Sequence, residues 1–309
     1  MCTILTSGLV GAPLPFRIVR SKLIIRSDLY DSRNVEDLRT FYDYFMKGIN
    51  NDWMHTPRVR LSILNPGGTD IINRPEAAFP LSRQQPLKVY LNAATRSLST
   101  NVPTKTSTVA YNAVTGSVVF TLKATSRMEF AGYFKLRIWM EALGSNDMDV
   151  YTILQKYKSE SNRLLESCLV DVGRHAADPD QARNSLLRQY EADHSFCEGY
   201  FASGPTGCLR ASHRDLNVSK STDFEPVYEH KREQLLKENE VVALDIAIWP
   251  YGMICAKGEE LRLTISGADP RPHLRPSDPR PKLRNKGEHR IHTGGERESF
   301  LLLPMILSE

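Results

Sequence analysis

Three short runs carry residue types that do chemistry. Ser212-His213-Arg214-Asp215 holds the hydroxyl, imidazole and carboxylate of a serine hydrolase, which must converge for the imidazole to take the hydroxyl proton. The run reads as a strand, where neighbouring side chains point to opposite faces, so Ser212 and His213 should diverge and Arg214 and Asp215 should pair locally or with a neighbouring loop. Asp147-x-Asp149 could set two carboxylates on one face for a hard cation such as Ca²⁺, but that ion takes six or more oxygens. A turn leading into a strand accounts for these aspartates with less. His289-x-x-His292 lacks the i, i+4 spacing of a zinc helix and a third ligand nearby, so hydrogen bonding in a glycine-rich turn is expected. Cys2, Cys168, Cys197, Cys208 and Cys255 contain no C-x-x-C and read as reduced thiols in the cytoplasm. No catalytic, cofactor-binding or metal-ligating residue is assigned from the sequence, and no cofactor is expected.

Trp53, Trp139 and Trp249 with Tyr133 and Tyr251 could line a sugar-binding face, but two of the tryptophans fall in strand patterns and should pack internally. Residues 269 to 290 hold five prolines and seven basic residues against three acidic ones, an excess equal to the +4 of the whole chain. This stretch has no Phe, Tyr or Trp on which a base could stack, so it reads as a solvated, proline-stiffened loop and no nucleic-acid partner is expected. The remaining composition is that of a globular protein: 309 residues, 41% hydrophobic and 25% charged. The longest apolar run, Phe300 to Leu307, is interrupted by Pro304 and is far below the roughly 20 residues of a membrane helix, so no membrane partner is expected. Residues 1 to 15 lack the basic start and unbroken apolar run of a secretory signal.

Positioning elements follow from periodicity. Val35, Leu38, Phe41, Tyr42 and Phe45 make one apolar stripe and predict a helix over 34–47, with Asn34 capping its start and Gly48 ending it. From Trp53 on, the period is two. Val59–Ile63, Lys88–Leu91, Ser117–Leu122, Phe134–Glu141, Val150–Leu154, Val241–Ile248, Leu261–Ser266 and Ser299–Ile306 have strand composition. Turn signals fall at Asn65-Pro66-Gly67-Gly68, Gly144-Ser145-Asn146-Asp147, Pro250-Tyr251-Gly252 and Gly294-Gly295. One helix among so many strands predicts a mostly β fold, two antiparallel sheets packed as a jelly-roll β-sandwich. Residues 155–207 break the pattern and read as a long excursion with a short helix near 180–191. No internal repeat is present.

These segments also line up with a known family. Val35-Glu36-Asp37-Leu38-Arg39 through Phe41, Asp43, Lys47-Gly48-Ile49, Asn51 and Trp53, followed by Thr56-Pro57-Arg58-Val59-Arg60-Leu61, resembles the X-Pro dipeptidyl-peptidases and cocaine-esterase-like serine hydrolases. The similarity is to the end of their catalytic domain entering a C-terminal β-sandwich. Gly132-Tyr133-Phe134-Lys135-Leu136-Arg137-Ile138-Trp139, Asp147-Met148-Asp149-Val150 and Leu209-Arg210-Ala211-Ser212-His213-Arg214-Asp215-Leu216 are similar to that sandwich. So are Ile248-Trp249-Pro250, Gly258-Glu259 with Leu261-Arg262-Leu263, Asn285-Lys286-Gly287 through His292-Thr293-Gly294-Gly295, and Leu301-Leu302-Leu303-Pro304. The matches run in family order from about residue 16 to the end.

The resemblance implies a jelly-roll, galactose-binding-like domain over 53–309, preceded by a remnant of an α/β-hydrolase domain in 1–52. It also implies a triad histidine shortly before the helix, yet Lys22 to Tyr30 contains none, the first histidine is His55, and no serine sits in a G-x-S-x-G elbow. The chain is therefore expected to be the non-catalytic part of such an enzyme and inactive alone. The alternatives are a carbohydrate- or protein-binding module, or a truncated reading of a longer hydrolase gene. With the hydrolase domain missing, Leu38, Phe41, Tyr42 and Phe45 are expected to lie bare and to drive self-association or docking onto such a domain.

Overall fold

The structure, a computed structural model, describes residues 32–168, 201–271 and 281–307, together with Ser185 and Arg188. In chain order the elements are helix α1 (Ser32–Lys47), then β1 (Val59–Ile63), β2 (Ile71–Glu76), β3 (Gln84–Asn92), β4 (Ser97–Ser99), β5 (Ser107–Asn112), β6 (Ser117–Lys123), β7 (Met128–Leu143) and β8 (Asp149–Lys158). They continue with β9 (Arg163–Leu165), β10 (Ser167–Cys168), β11 (Phe201–Ala202), β12 (Thr206–Arg210), β13 (Val241–Cys255), β14 (Glu259–Ser266), β15 (Glu288–Thr293) and β16 (Phe300–Ile306). Apart from Ser185 and Arg188, the helix expected near 180–191 lies outside the described residues, as does most of the 155–207 excursion beyond β10.

The chain groups into two compact units. The smaller holds α1, the β1–β2 pair and the β10–β11 pair. The helix begins at Ser32, so Asn34 lies within its first turn and does not cap it. Gly48 ends the helix at φ +68°, as expected, and the Ile49 amide returns to the Asp43 carbonyl at 3.0 Å. Arg60 on β1 grips Asp37 of α1 with two parallel bonds of 2.9 Å, and Asn51 ties the Thr40 carbonyl to the Trp53 turn. The Phe41 ring meets the edge of the buried Trp53 ring at 5.2 Å.

The larger unit is one continuous sheet of twelve strands. Nine of them, β13-β12-β8-β14-β6-β4-β3-β16-β7, form a closed circuit because β13 also pairs with β7. The strands do not separate into two hydrogen-bonded sheets as expected; the mostly β class with one helix stands. Closure turns on β7, whose 16 residues present one edge to β13 from Met128 to Glu141. Its other edge is shared, with β16 beside Phe130 to Arg137 and β15 beside Trp139 to Leu143. Period-two alternation sends Phe130, Phe134, Leu136, Ile138 and Met140 inward, where none exposes any surface. They meet Leu244 and Ile246 of β13, Phe120 of β6, Leu154 of β8, Leu263 of β14 and Leu303 of β16, all equally buried. Each such side chain contributes about 1.5–3 kcal/mol of burial.

The predicted turn at Pro250-Tyr251-Gly252 is a bulge inside β13. Trp249 and Pro250 together oppose Tyr133 between the Ile248↔Phe134 and Tyr251↔Gly132 pairs. Proline has no N–H to give to a ladder, so the strand absorbs it as an extra residue and continues. The β16–β7 ladder is likewise interrupted around Pro304.

Gly287 leads into β15 at φ +67°, and a β-carbon there would lie 2.0 Å from the Leu143 carbonyl oxygen. Gly258 has φ +88° but open space around it. Gly287→Ala is expected to cost about 2–4 kcal/mol in urea unfolding, through backbone strain plus a clash. Gly258→Ala should cost about 1 kcal/mol; equal losses would contradict this packing.

Candidate functional site

Residues 212–215 do not lie on a strand. Ala211–His213 form a single 3-10 turn at the end of β12, opening the long connection to β13. The turn points Ser212 inward, where its Oγ donates to Asp147 Oδ2 at 2.9 Å and its amide donates to Asp147 Oδ1 at 3.0 Å. His213 leaves in another direction: its Nε2 lies 3.8 Å from Glu233 and its Nδ1 is buried without a partner among the described residues. Arg214 donates to the Ala211 and Gln234 carbonyls, and Asp215 accepts from the Gln234 side chain and faces Arg232 at 3.8 Å. Of the two expected outcomes the neighbouring loop dominates: Arg214 and Asp215 pair mainly with residues 232–234 of the connection, from a turn where a strand was expected.

Asp147 and Asp149 are the centre of this region. Asp147, 1% exposed, takes the two Ser212 bonds, the Met148 amide at 2.9 Å and Arg284 Nη1 at 3.3 Å. Asp149, 6% exposed, receives Arg210 Nε and Nη2 and the Arg284 amide. Asn285 bridges from the 281–287 segment, accepting the Asp149 amide and donating to the Asp149 and Gly267 carbonyls. Arg284 also forks onto Glu233 at 3.0 and 2.7 Å, which holds the Glu233 carboxyl below the usual carboxylate range. Both aspartates are thus bound by arginines, amides and a hydroxyl, in a turn followed by a strand start.

His289 and His292 lie on β15, not in a turn, and the odd spacing sends them to opposite sides. His289 is fully buried, with Nδ1 3.0 Å from the Tyr111 hydroxyl. Burial pushes its pKa down to about 4 and the Tyr111 phenol upward. His292 Nε2 sits 3.0 Å from Glu141 Oε2, and Arg297 Nη1 lies 2.7 Å from Nδ1. Arginine can only donate, so Nδ1 accepts and the imidazole proton sits on Nε2 facing Glu141. Burial and then Arg297 keep this ring neutral, against the opposing pull of Glu141. Ser299 donates to the His292 carbonyl at 2.8 Å and not to its ring. Residues 288–290, assigned above to the loop, belong to β15, and residues 272–280 lie outside the described residues.

Trp249, expected to pack internally, is 55% exposed on β13. Trp53 is buried against Phe41. Trp139, opposite Ala243, and Trp249, opposite Tyr133, are about 20 Å apart along the β7–β13 ladder.

The outer wall of the barrel does carry a cavity of about 310 Å³. Its floor is made by the outward residues Asp149 and Tyr151 of β8 and Cys208 and Arg210 of β12, which pair Tyr151↔Cys208 and Asp149↔Arg210. Its wall is made by His213, Tyr228 and His230. Tyr228 is fixed at the β13 edge, where its hydroxyl donates to the Asp245 carbonyl at 2.7 Å and accepts from the Ala247 amide at 3.0 Å. The outward period of β8 and β12 could have flagged Tyr151, Cys208 and Arg210. Nothing local marks Tyr228 or His230, which the connection brings back from 15 or more residues downstream.

With this geometry in hand, the chain can be set beside known proteins. The family described as X-Pro dipeptidyl-peptidase C-terminal non-catalytic domain matches residues 51–302. The chain belongs to that family. Among solved structures, a CocE/NonD family hydrolase from Staphylococcus aureus is similar at 25% identity and a TM-score of 0.75, over 91% of this chain and 47% of that one. An aminopeptidase from a marine sediment archaeon, Thaumarchaeota archaeon, shares 13% identity with a TM-score of 0.57, over 91% of this chain and 45% of its own. An alpha-amino acid ester hydrolase shares 15% with a TM-score of 0.52, over 87% and 44%. These last two show a common fold. The chain spans about half the length of the structures it matches. No curated protein matches it.

The buried histidines of this domain fix a pH response. His289 binds its proton near pH 6.5 when unfolded and near pH 4 when folded, so the unfolded state holds more protons between those values. Stability is fully present above pH 6.5 and falls as pH drops toward 4, by about 3 kcal/mol from His289 alone. His292, lowered as well, adds in the same direction. In urea unfolding at pH 7 and pH 4.5, His289→Gln should lose less stability on acidification than the wild type. Equal acid sensitivity would contradict the assignment.

Proposed function

We propose that this chain is the C-terminal β domain of a CocE/NonD-type serine hydrolase acting on X-Pro peptides or acyl esters, and that it has no turnover of its own. The carrying observation is the family match across residues 51–302, to a domain described as non-catalytic. The local chemistry supports the reading: the Ser212 hydroxyl is donated to a carboxylate, and the His292 imidazole is held between a carboxylate and a guanidinium. A serine activated for attack instead needs a free imidazole nitrogen within hydrogen-bond reach. The barrel, flattened as a jelly roll, would serve as a scaffold beside a catalytic domain.

The docking face in this reading is α1. Phe41 turns toward Trp53, while Val35, Leu38, Tyr42, Phe45 and Met46 remain exposed, 42% at the least. A helix whose apolar side meets water is expected to find another surface. The solved relatives, about twice as long, supply the argument that a catalytic domain covers it. A carbohydrate-binding reading has less support, since only Trp249 and Tyr133 pair across the β7–β13 ladder, with Trp139 about 20 Å along it and Trp53 buried.

Pure protein is incubated with an X-Pro chromogenic dipeptide and with p-nitrophenyl acetate. No release above buffer is expected, and turnover abolished by a serine-reactive phosphonate would overturn the proposal. Light scattering tests the helix separately: the wild type should self-associate with rising concentration, and Leu38→Ser with Phe45→Ser should suppress this. A wild type that stays monomeric at high concentration would contradict the docking face.

A further inference from the structure

We propose that the cavity on the outer wall of the barrel binds a small oxyanion, a carboxylate or a phosphate, through Tyr151, Arg210, His213 and His230. The inference does not depend on the hydrolase reading. Arg210 commits Nε and Nη2 to Asp149 and Nη2 to the Lys282 carbonyl, which leaves Nη1 without a hydrogen bond among the described residues. The Tyr151 hydroxyl and both ring nitrogens of His230 likewise have no partner there. His230 is held at φ +50°, a left-handed backbone few non-glycine residues adopt, with its ring 5.6 Å from Tyr228 and 5.4 Å from His213. His230 is exposed at the rim of the cavity, where its ring nitrogens can reach a ligand.

Charge decides the ligand class. Among the described residues, three carboxylates near the cavity are paired: Asp149 with Arg210 and the Arg284 amide, Asp269 with the Arg271 guanidinium, Glu233 with Arg284. Burial, aided by Asp149 and Asp269, pushes the Tyr151 phenol up to about 12 and the Cys208 thiol upward, so both stay protonated. The uncommitted groups are therefore donors, or imidazoles that can donate, and Arg210 Nη1 can only donate. An acceptor-rich anion meets all of them at once, whereas a neutral polyol would bring donors of its own.

The test follows the imidazole resonances of the full chain in long-range ¹H–¹⁵N spectra. Sodium phosphate and, separately, sodium acetate are added at constant ionic strength. Saturable shifts of His213 and His230 are expected, with affinity at least tenfold weaker in Arg210→Gln and in His230→Ala. Saturation by phosphate alone names a phosphate ligand, and by acetate alone a carboxylate. Arg210 also holds Asp149, so thermal unfolding is measured alongside; His230→Ala breaks no hydrogen bond and should keep the wild-type midpoint. No saturable shift with either anion, or equal saturation in wild type and His230→Ala, overturns the assignment.

Discussion

Two buried carboxylates separated by one residue, Asp147 and Asp149, set the terms for one end of the barrel. Removing a carboxylate from water costs several kcal/mol unless charged and polar donors replace the lost hydration. The side-chain donors and most of the amides come from two stretches: the end of β12 with its 3-10 turn, which supplies Arg210 and Ser212, and the 281–287 segment before β15. Each stretch is fixed because the aspartates require it. The same requirement determines what Ser212 can do, since a hydroxyl donated to a buried carboxylate has its proton directed away from any base that could activate it.

The barrel wall and this node support each other. The β8–β12 register that sets Asp149 against Arg210 also sets Tyr151 against Cys208, so the floor of the outer cavity follows from the same pairing. Leu236, buried and bonded through its amide to the Asn146 carbonyl, pins the far end of the β12–β13 connection beside Asp147. Between those anchors the connection swings out far enough for Tyr228 to reach the β13 edge and for His230 to complete the cavity wall. Site and scaffold are thus one hydrogen-bonded construction.

Much of the fold was legible because period two is a strong signal where one face is buried. Val59–Ile63 was bounded as found, and the central stretches of β3, β6, β7, β8, β13, β14 and β16 were all marked. Other features were not. β4 is too short to show a period, β5 buries only Val109 and Tyr111, and β15 was hidden by the polar residues that its burial turns into hydrogen-bonding partners. Pro250 reads as a turn in any local window, and only the long β7 ladder holds β13 together across it. The Ser212-His213 run has strand-like neighbours, but the demand of Asp147 for donors bends it into a 3-10 turn. The cavity was least legible, because its wall comes from residues whose position depends on where the connection is tied.

Asp147 is a structural anchor whose partners include the Ser212 hydroxyl. A double-mutant cycle of Asp147→Asn and Ser212→Ala, measured by urea unfolding at pH 7, tests it most directly. Asp147→Asn should cost about 3 kcal/mol, as expected when one partner of a buried charged network is neutralised, and the two substitutions should be coupled by about 1 kcal/mol or more. Losses within about 0.5 kcal/mol that simply add would contradict the account.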